Sequence, residues 1–186
     1  DVSDWRVGDE IIVTASKKMR NMASYRDKDM GTEERIVKAI DRNSITLDKP
    51  LRLEHSGEGE FRSEVANLSR NVIVESADPN GIRGHTMYHR YSKGGISYAR
   101  FAHLGKEGVL GRYAIHFHLV GATMRGSAVL GAAIVDSHNR WITIHGTQYL
   151  LVRDCVGYKS VGHGYFLENG TEVFNLLDRN LGVQAF

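Results

Sequence analysis

Three stretches of the chain end an alternating apolar run on a histidine or a glutamate. They are Ala114-Ile115-His116-Phe117-His118, Trp141-Ile142-Thr143-Ile144-His145 and Gly164-Tyr165-Phe166-Leu167-Glu168. A glycine follows each, at Gly121, Gly146 and Gly170. His118 and His145 lie 27 residues apart, and His145 and Glu168 lie 23 apart. That interval suits one coil of a parallel β-solenoid, in which every coil lays a strand beside the last. In such a register the three residues form a column, with backbones about 4.8 Å apart. Two imidazoles and a carboxylate that converge make either a metal site or an acid/base site.

Side chains alternate along a strand, so His116 shares a face with His118 while Ile115 and Phe117 take the other. The apolar face must fill the core, which leaves the histidines facing outward over a groove. The metal reading uses His118, His145 and Glu168 as ligands, with His116 as a fourth ligand or a supporting group. Mixed nitrogen and oxygen donors suit Zn²⁺, Mn²⁺, Fe²⁺ or Ni²⁺ better than Ca²⁺, which prefers oxygen. A bound ion would polarise a substrate carboxylate or lower the pKa of water towards about 7. The plainer alternative is a row of solvated surface histidines.

Other residues could serve the same chemistry. His163 lies between Gly162 and Gly164, and the repeat places it one coil from Arg140. A cation beside an ionisable histidine suits carboxylate binding and proton transfer. Arg112, Arg140 and Tyr165 are candidate substrate contacts, since arginine can grip a carboxylate with two parallel bonds. Asp136 and Asp154 follow similar strands and read as an aspartate ladder, able to hold a general acid or simply to accept backbone N–H bonds. With Glu168 and His163 they complete the candidate catalytic set. His103 is placed beneath His118 or at the end of its own coil. No phosphate loop, nucleophile elbow or paired-cysteine motif occurs.

The elements that must carry these residues are short strands. Ile11 to Thr14, Glu33 to Ile40 and Ser44 to Leu47 read as antiparallel strands, the last two joined by Asp41-Arg42-Asn43. Residues 16–32 are polar and aperiodic and read as a loop or lid. From residue 68 short β-branched or aromatic runs recur, at Val72–Glu75, Ile96–Phe101, Ala114–Leu119, Ala132–Val135, Ile142–Ile144, Leu150–Val156, Tyr165–Leu167 and Val173–Leu177. No stretch holds a helical period. The expected core includes Ile115, Phe117, Ile142, Ile144, Tyr165 or Phe166, and Leu167. These patterns give two regions, residues 1–60 and 61–186.

Composition narrows the classes. The 186 residues include 20 Gly and 2 Pro, and the net charge is +2. That balance, with no basic run interleaved with aromatics, argues against a nucleic-acid partner. The single Cys155 lies in an apolar alternation and reads as a buried structural thiol. No run is long and apolar enough to span a membrane. The chain opens and stops as an excised or processed piece of a longer protein would, and open solenoid ends could pair copies into a homo-oligomer.

Three long motifs carry a resemblance: Gly111 through Leu119, Ser137 through Thr147, and Val156 through Glu168. They resemble the parallel β-helix of the extracellular hyaluronan-degrading family that includes the cell-migration-inducing hyaluronan-binding protein and transmembrane protein 2. Fibrocystin carries a related region. The resemblance implies an all-β fold, a right-handed parallel β-helix behind a short β-rich region. It further implies an extracellular or cell-surface setting, an acidic polysaccharide substrate and divalent-metal dependence. Glu168-Asn169-Gly170 departs from the family's Glu-Asp-Gly, and the animal proteins' cysteines are missing, which suits a microbial relative. The reading is a polysaccharide hydrolase or lyase. Its rivals are a glycan-binding adhesion module and a metal-stabilised structural solenoid.

Overall fold

The computed structural model describes residues 2–16 and 31–186. Every regular element among them is a strand. The loop read at 16–32 lies almost wholly outside the described residues. The chain divides into two compact units at Ser69/Arg70.

The first unit holds β1 (Glu10–Val13), β2 (Glu33–Asp41), β3 (Ser44–Leu47) and β4 (Val65–Asn67) in one antiparallel sheet, ordered β3-β2-β1-β4. The region boundary drawn at residues 60/61 falls inside this unit, where Val65 pairs with Val13, whereas the change of texture read at residue 68 lies beside the Ser69/Arg70 division. Ile11, Ile12, Val37 and Leu68 are buried. Beside them lies a buried carboxylate, Glu33, which accepts the N–H groups of Arg52 and Leu53, contacts His55 Nε2 at 3.0 Å and pairs with Arg35. Burial pushes the Glu33 pKa up, but these donors outweigh it and hold the group at about 2.

The second unit is a parallel β-solenoid. Its strands are β5 (Val72–Glu75), β6 (Thr86–Tyr88), β7 (Ile96–Ser97), β8 (Ala99–Ala102), β9 (Ile115–Gly121), β10 (Ala128–Leu130), β11 (Ala133–Ser137), β12 (Ile142–Thr147), β13 (Leu151–Arg153), β14 (Val156–Ser160), β15 (Tyr165–Leu167), β16 (Leu176–Asp178) and β17 (Leu181–Ala185). They form three sheets: β7, β10, β13 and β16 in the first, β5, β8, β11, β14 and β17 in the second, β6, β9, β12 and β15 in the third. Each coil visits the three in turn.

The corners share one backbone device. Tyr98, Gly131, Asp154 and Arg179 follow the paired residues Ser97, Leu130, Arg153 and Asp178, and all have φ between 51° and 57°. His103, Asp136, Lys159 and Gln184 follow the paired Ala102, Val135, Tyr158 and Val183, with φ between 51° and 60°. These left-handed residues split the runs read as single strands at 96–101 and 150–156. A non-glycine residue there costs roughly 1–2 kcal/mol, which the bend into the next sheet must offset. Side-chain amides tie coils together: Asn175 accepts Leu150 N–H and donates to Thr147 O, and Asn180 does the same for Cys155 and Val152.

Ile115, Phe117, Ile142 and Ile144 lie in the core as expected, and Tyr165 packs against it. Leu167 does not. It pairs in register with Ile144, yet it is 37% exposed, because no further coil covers it in the described residues. Cys155 is buried, and burial raises its thiol pKa to about 11.

The largest core side chain is Trp141, whose indole N–H donates to Lys159 O. Its ring fills a slot where a Cβ on Gly157 would lie 2.2 Å from it, and one on Gly164 2.5 Å. Gly157→Ala is therefore expected to destabilise the solenoid by about 1–3 kcal/mol through overpacking. Denaturant unfolding against the parent checks this, and an unchanged midpoint would mean the ring moves freely. The Glu33 network gives a pH expectation. Its folded pKa lies below the ordinary 4.5, so its stabilisation is full above pH 4.5 and is lost as pH falls towards 2. Glu33→Gln should flatten the stability profile across that window and leave it unchanged in slope above it.

Candidate metal centre and ion-paired flank

The third sheet carries the candidate site residues His116, His118 and His145, with Glu168 directly after β15. Ile142 pairs with Ile115, Ile144 with Phe117, and His145 with His118. Thus the inward isoleucines and Phe117 force the histidines outward. Leu119 and Gly146, with φ of 53° and 51°, kink the strands directly after His118 and His145. Glu168 N–H donates to Ile144 O, which keeps Glu168 in line with His145. Tyr88 pairs with Phe117, so the column begins one coil earlier, at His89. The rings of His89 and His118 lie 5.3 Å apart. The signal for His89 was present in Tyr88-His89, the same apolar–polar ending as Phe117-His118 and Ile144-His145.

His116, His118 and His145 converge. One nitrogen of each lies within 4.8 Å of the others. The Nδ1 atoms of His118 and His145 are 3.0 Å apart, a hydrogen bond between the two rings in which one nitrogen donates and the other accepts. His116 is only 1% exposed, so the outward face is not open there. Gly111 O accepts from its Nδ1 at 3.0 Å, and the Tyr113 ring packs edge-on at 4.7 Å. That leaves His116 Nε2 buried with no partner among the described residues. A carbonyl fixing one ring nitrogen while the other offers its lone pair is the usual setting of a metal-bound imidazole. Burial lowers the His116 pKa to about 4, and lowers that of His118, helped by His145 and His89. Neutral rings are what a metal requires. Thr143, beside His116 in register, also buries a hydroxyl with no partner.

Glu168 stands apart from this trio. Arg140 donates to it at 2.9 Å and the Tyr113 hydroxyl at 3.3 Å. Arg140 is also held between rings, 4.5 Å from the Tyr113 centroid and 3.8 Å from that of Phe166. The carboxylate read as a ligand is thus an ion-pair partner, and the arginine read as a substrate contact is already occupied. His163 lies one coil from Arg140, exposed, with its ring 4.8 Å from Phe166.

Three placements differ from the sequence reading, those of Tyr165, Asp136 and Asp154, and of the two places open to His103 it takes the end of its own coil. Tyr165 points inward, its hydroxyl 3.2 Å from Leu181 O and its ring against Trp141, so it is a core residue. Burial raises its phenol pKa. Asp136 and Asp154 form no ladder: they are left-handed residues of two different corners. Asp136 binds Arg83 and His103, which together outweigh burial and lower its pKa. Asp154 is held low by Arg179. His103 therefore belongs to the second sheet's corner, and His89, not His103, stacks beneath His118. Arg112 is exposed, 3.2 Å from His85 Nε2.

The family description "CEMIP beta-helix" matches residues 81–185. The chain belongs to this CEMIP beta-helix family. It is 32% identical to communication mutant protein F of Dictyostelium discoideum over 98% of its own length and 16% of that protein. It is 29% identical to the human cell surface hyaluronidase CEMIP2, over 98% and 14%. With mouse fibrocystin-L it shares 31% identity, over 96% and 5%. The chain spans about one sixth or less of the length of these relatives.

The Arg140–Glu168 pair gives a stability expectation. Both side chains are mostly buried, so Arg140→Ala should destabilise by about 2–4 kcal/mol by stranding the carboxylate. Arg140→Ala combined with Glu168→Ala should lose less than the sum of the two single changes. Urea unfolding of the three variants decides it, and strict additivity would show that the pair is not coupled.

Proposed function

We propose that the protein binds an acidic, hyaluronan-like polysaccharide along the outer face of the third sheet and cleaves its glycosidic bonds with a divalent metal held by His116, His118 and His145. The observation that carries this reading is the convergence of three imidazoles, one of which, His116, buries a ring nitrogen with no partner among the described residues. Three nitrogen donors suit Zn²⁺, Ni²⁺, Fe²⁺ or Mn²⁺ better than Ca²⁺. The ion would supply electrostatic stabilisation of a carboxylate or a more acidic bound water. The cell surface hyaluronidase among the relatives supports the substrate class and an extracellular or cell-surface setting.

Two routes break the bond. Hydrolysis adds water across the carbon–oxygen bond and, in its usual form, needs two carboxyl groups flanking it. Elimination transfers the proton beside the uronate carboxyl to a base, for which the exposed His163 is the candidate, and expels the neighbouring glycosidic oxygen, which takes a proton from water, leaving a carbon–carbon double bond. With Glu168 paired to Arg140, and Asp136 and Asp154 at other corners, a free carboxylate pair is lacking among the described residues of this face. The products formed distinguish the two routes.

Incubation with hyaluronan, before and after chelation and reconstitution, tests the reading. New absorbance at 232 nm marks elimination, and reducing ends without it mark hydrolysis. His145→Ala should lower metal affinity by at least about 100-fold and abolish cleavage while the fold persists, since the ring lies outside the core. Full metal content and full turnover in that variant would overturn the metal centre. Retention of polymer without cleavage would leave an adhesion module.

A further inference from the structure

The loop from Gly105 to Tyr113 has two sides. Its inner side fixes His116 through Gly111 O and Tyr113. Lys106 N–H closes it on Arg112 O at 2.9 Å, and Asn139 donates to Lys106 O and Val109 O. Its outer side carries Lys106 and Arg112. Neither forms an ion pair with a carboxylate among the described residues; the Arg112 guanidinium lies against His85 instead. Burial, then the charges of Arg112 and Lys106, lower the His85 pKa, as expected where positive potential is unneutralised. Next to this group opens a cavity of about 240 Å³, bounded by Ile82, Arg83, Lys106, His138 and one carboxylate, Glu107, so its wall carries two cationic side chains and one acid. Arg83 in its wall is pinned by Asp136 and Pro79 O. It lends charge without being free to move.

We propose that Lys106, Arg112 and His85, with the adjoining cavity, form a subsite for a sugar carboxylate, flanking the histidine centre through their shared loop. This rests on the polysaccharide reading and moves its carboxylate contact away from Arg140. Arg140 is bonded to Glu168, whereas Lys106 and Arg112 form no ion pair with a carboxylate among the described residues, and with Arg83 and His85 they outnumber the single acid, Glu107, beside the cavity. A uronate is a planar acceptor that an arginine fork and an ammonium can share. Because the loop also holds His116, an acidic sugar bound on its outer side stays beside the metal ligands.

The test uses a hexasaccharide of alternating glucuronate and N-acetylglucosamine, and the same oligosaccharide with its carboxyls reduced to alcohols. Binding is measured by calorimetry on the parent and on the Lys106→Ala, Arg112→Ala double variant. The parent is expected to prefer the acidic form, more strongly at low salt. The double variant is expected to bind the acidic form about 10- to 100-fold more weakly, as loss of charge-assisted hydrogen bonds implies. Its affinity for the reduced form, and its Zn²⁺ titration, should match the parent. If the double variant keeps the parent's affinity, or the parent binds both forms alike, the subsite is wrong while the polysaccharide reading stands. If the parent binds neither oligosaccharide, both fall. Lys106→Gln, Arg112→Gln repeats the result without truncation and guards against a folding defect.

Discussion

Coil-to-coil register is the constraint on which the site depends. Side-chain direction in a strand reverses with every residue, so a slip of one position would bury His118 and expose Phe117. Two sets of left-handed corner residues hold the register, one between the first and second sheets and one near the end of the second. Only a residue that accepts positive φ can occupy them, and a slip would move the strain onto a strand residue with no bend to offset it. The strain at three non-glycine positions in the first set and four in the second is offset by the parallel ladders they align. Trp141 adds a second lock, since its indole fits only where Gly157 and Gly164 leave space.

Much of this was legible in the sequence because apolar–polar alternation and repeat length act together. Ile115, Phe117, Ile142 and Ile144 announced the inner face, and the interval from His118 to His145 gave the coil. The corners were harder to read. Tyr98 and Asp154 interrupt runs that look continuous, since a left-handed residue changes backbone direction without changing hydrophobicity. That is why Asp136 and Asp154 looked equivalent: each follows an apolar run, but at different corners. Tyr165 was misplaced for a related reason, because Tyr165-Phe166 offers two aromatics and only register decides which faces in. The fate of His116 was not readable at all. Alternation puts it outward, and only the folded Gly105–Tyr113 loop covers it.

The outer face of the third sheet separates two kinds of polar chemistry a few residues apart. On one side, burial favours the neutral form of His116 and, with the nearby His145 and His89, of His118, which makes these two poor general acids near neutral pH and good lone-pair donors. On the other, Arg140 and Glu168 neutralise each other between Tyr113 and Phe166. Tyr113 touches both, packing on His116 and donating to Glu168. A free Arg140 would raise the positive potential around the trio and oppose a cation there. Pairing it with Glu168 removes that repulsion. The Glu168 carboxylate, in line with the histidines, thus spends its charge on Arg140 and the Tyr113 hydroxyl.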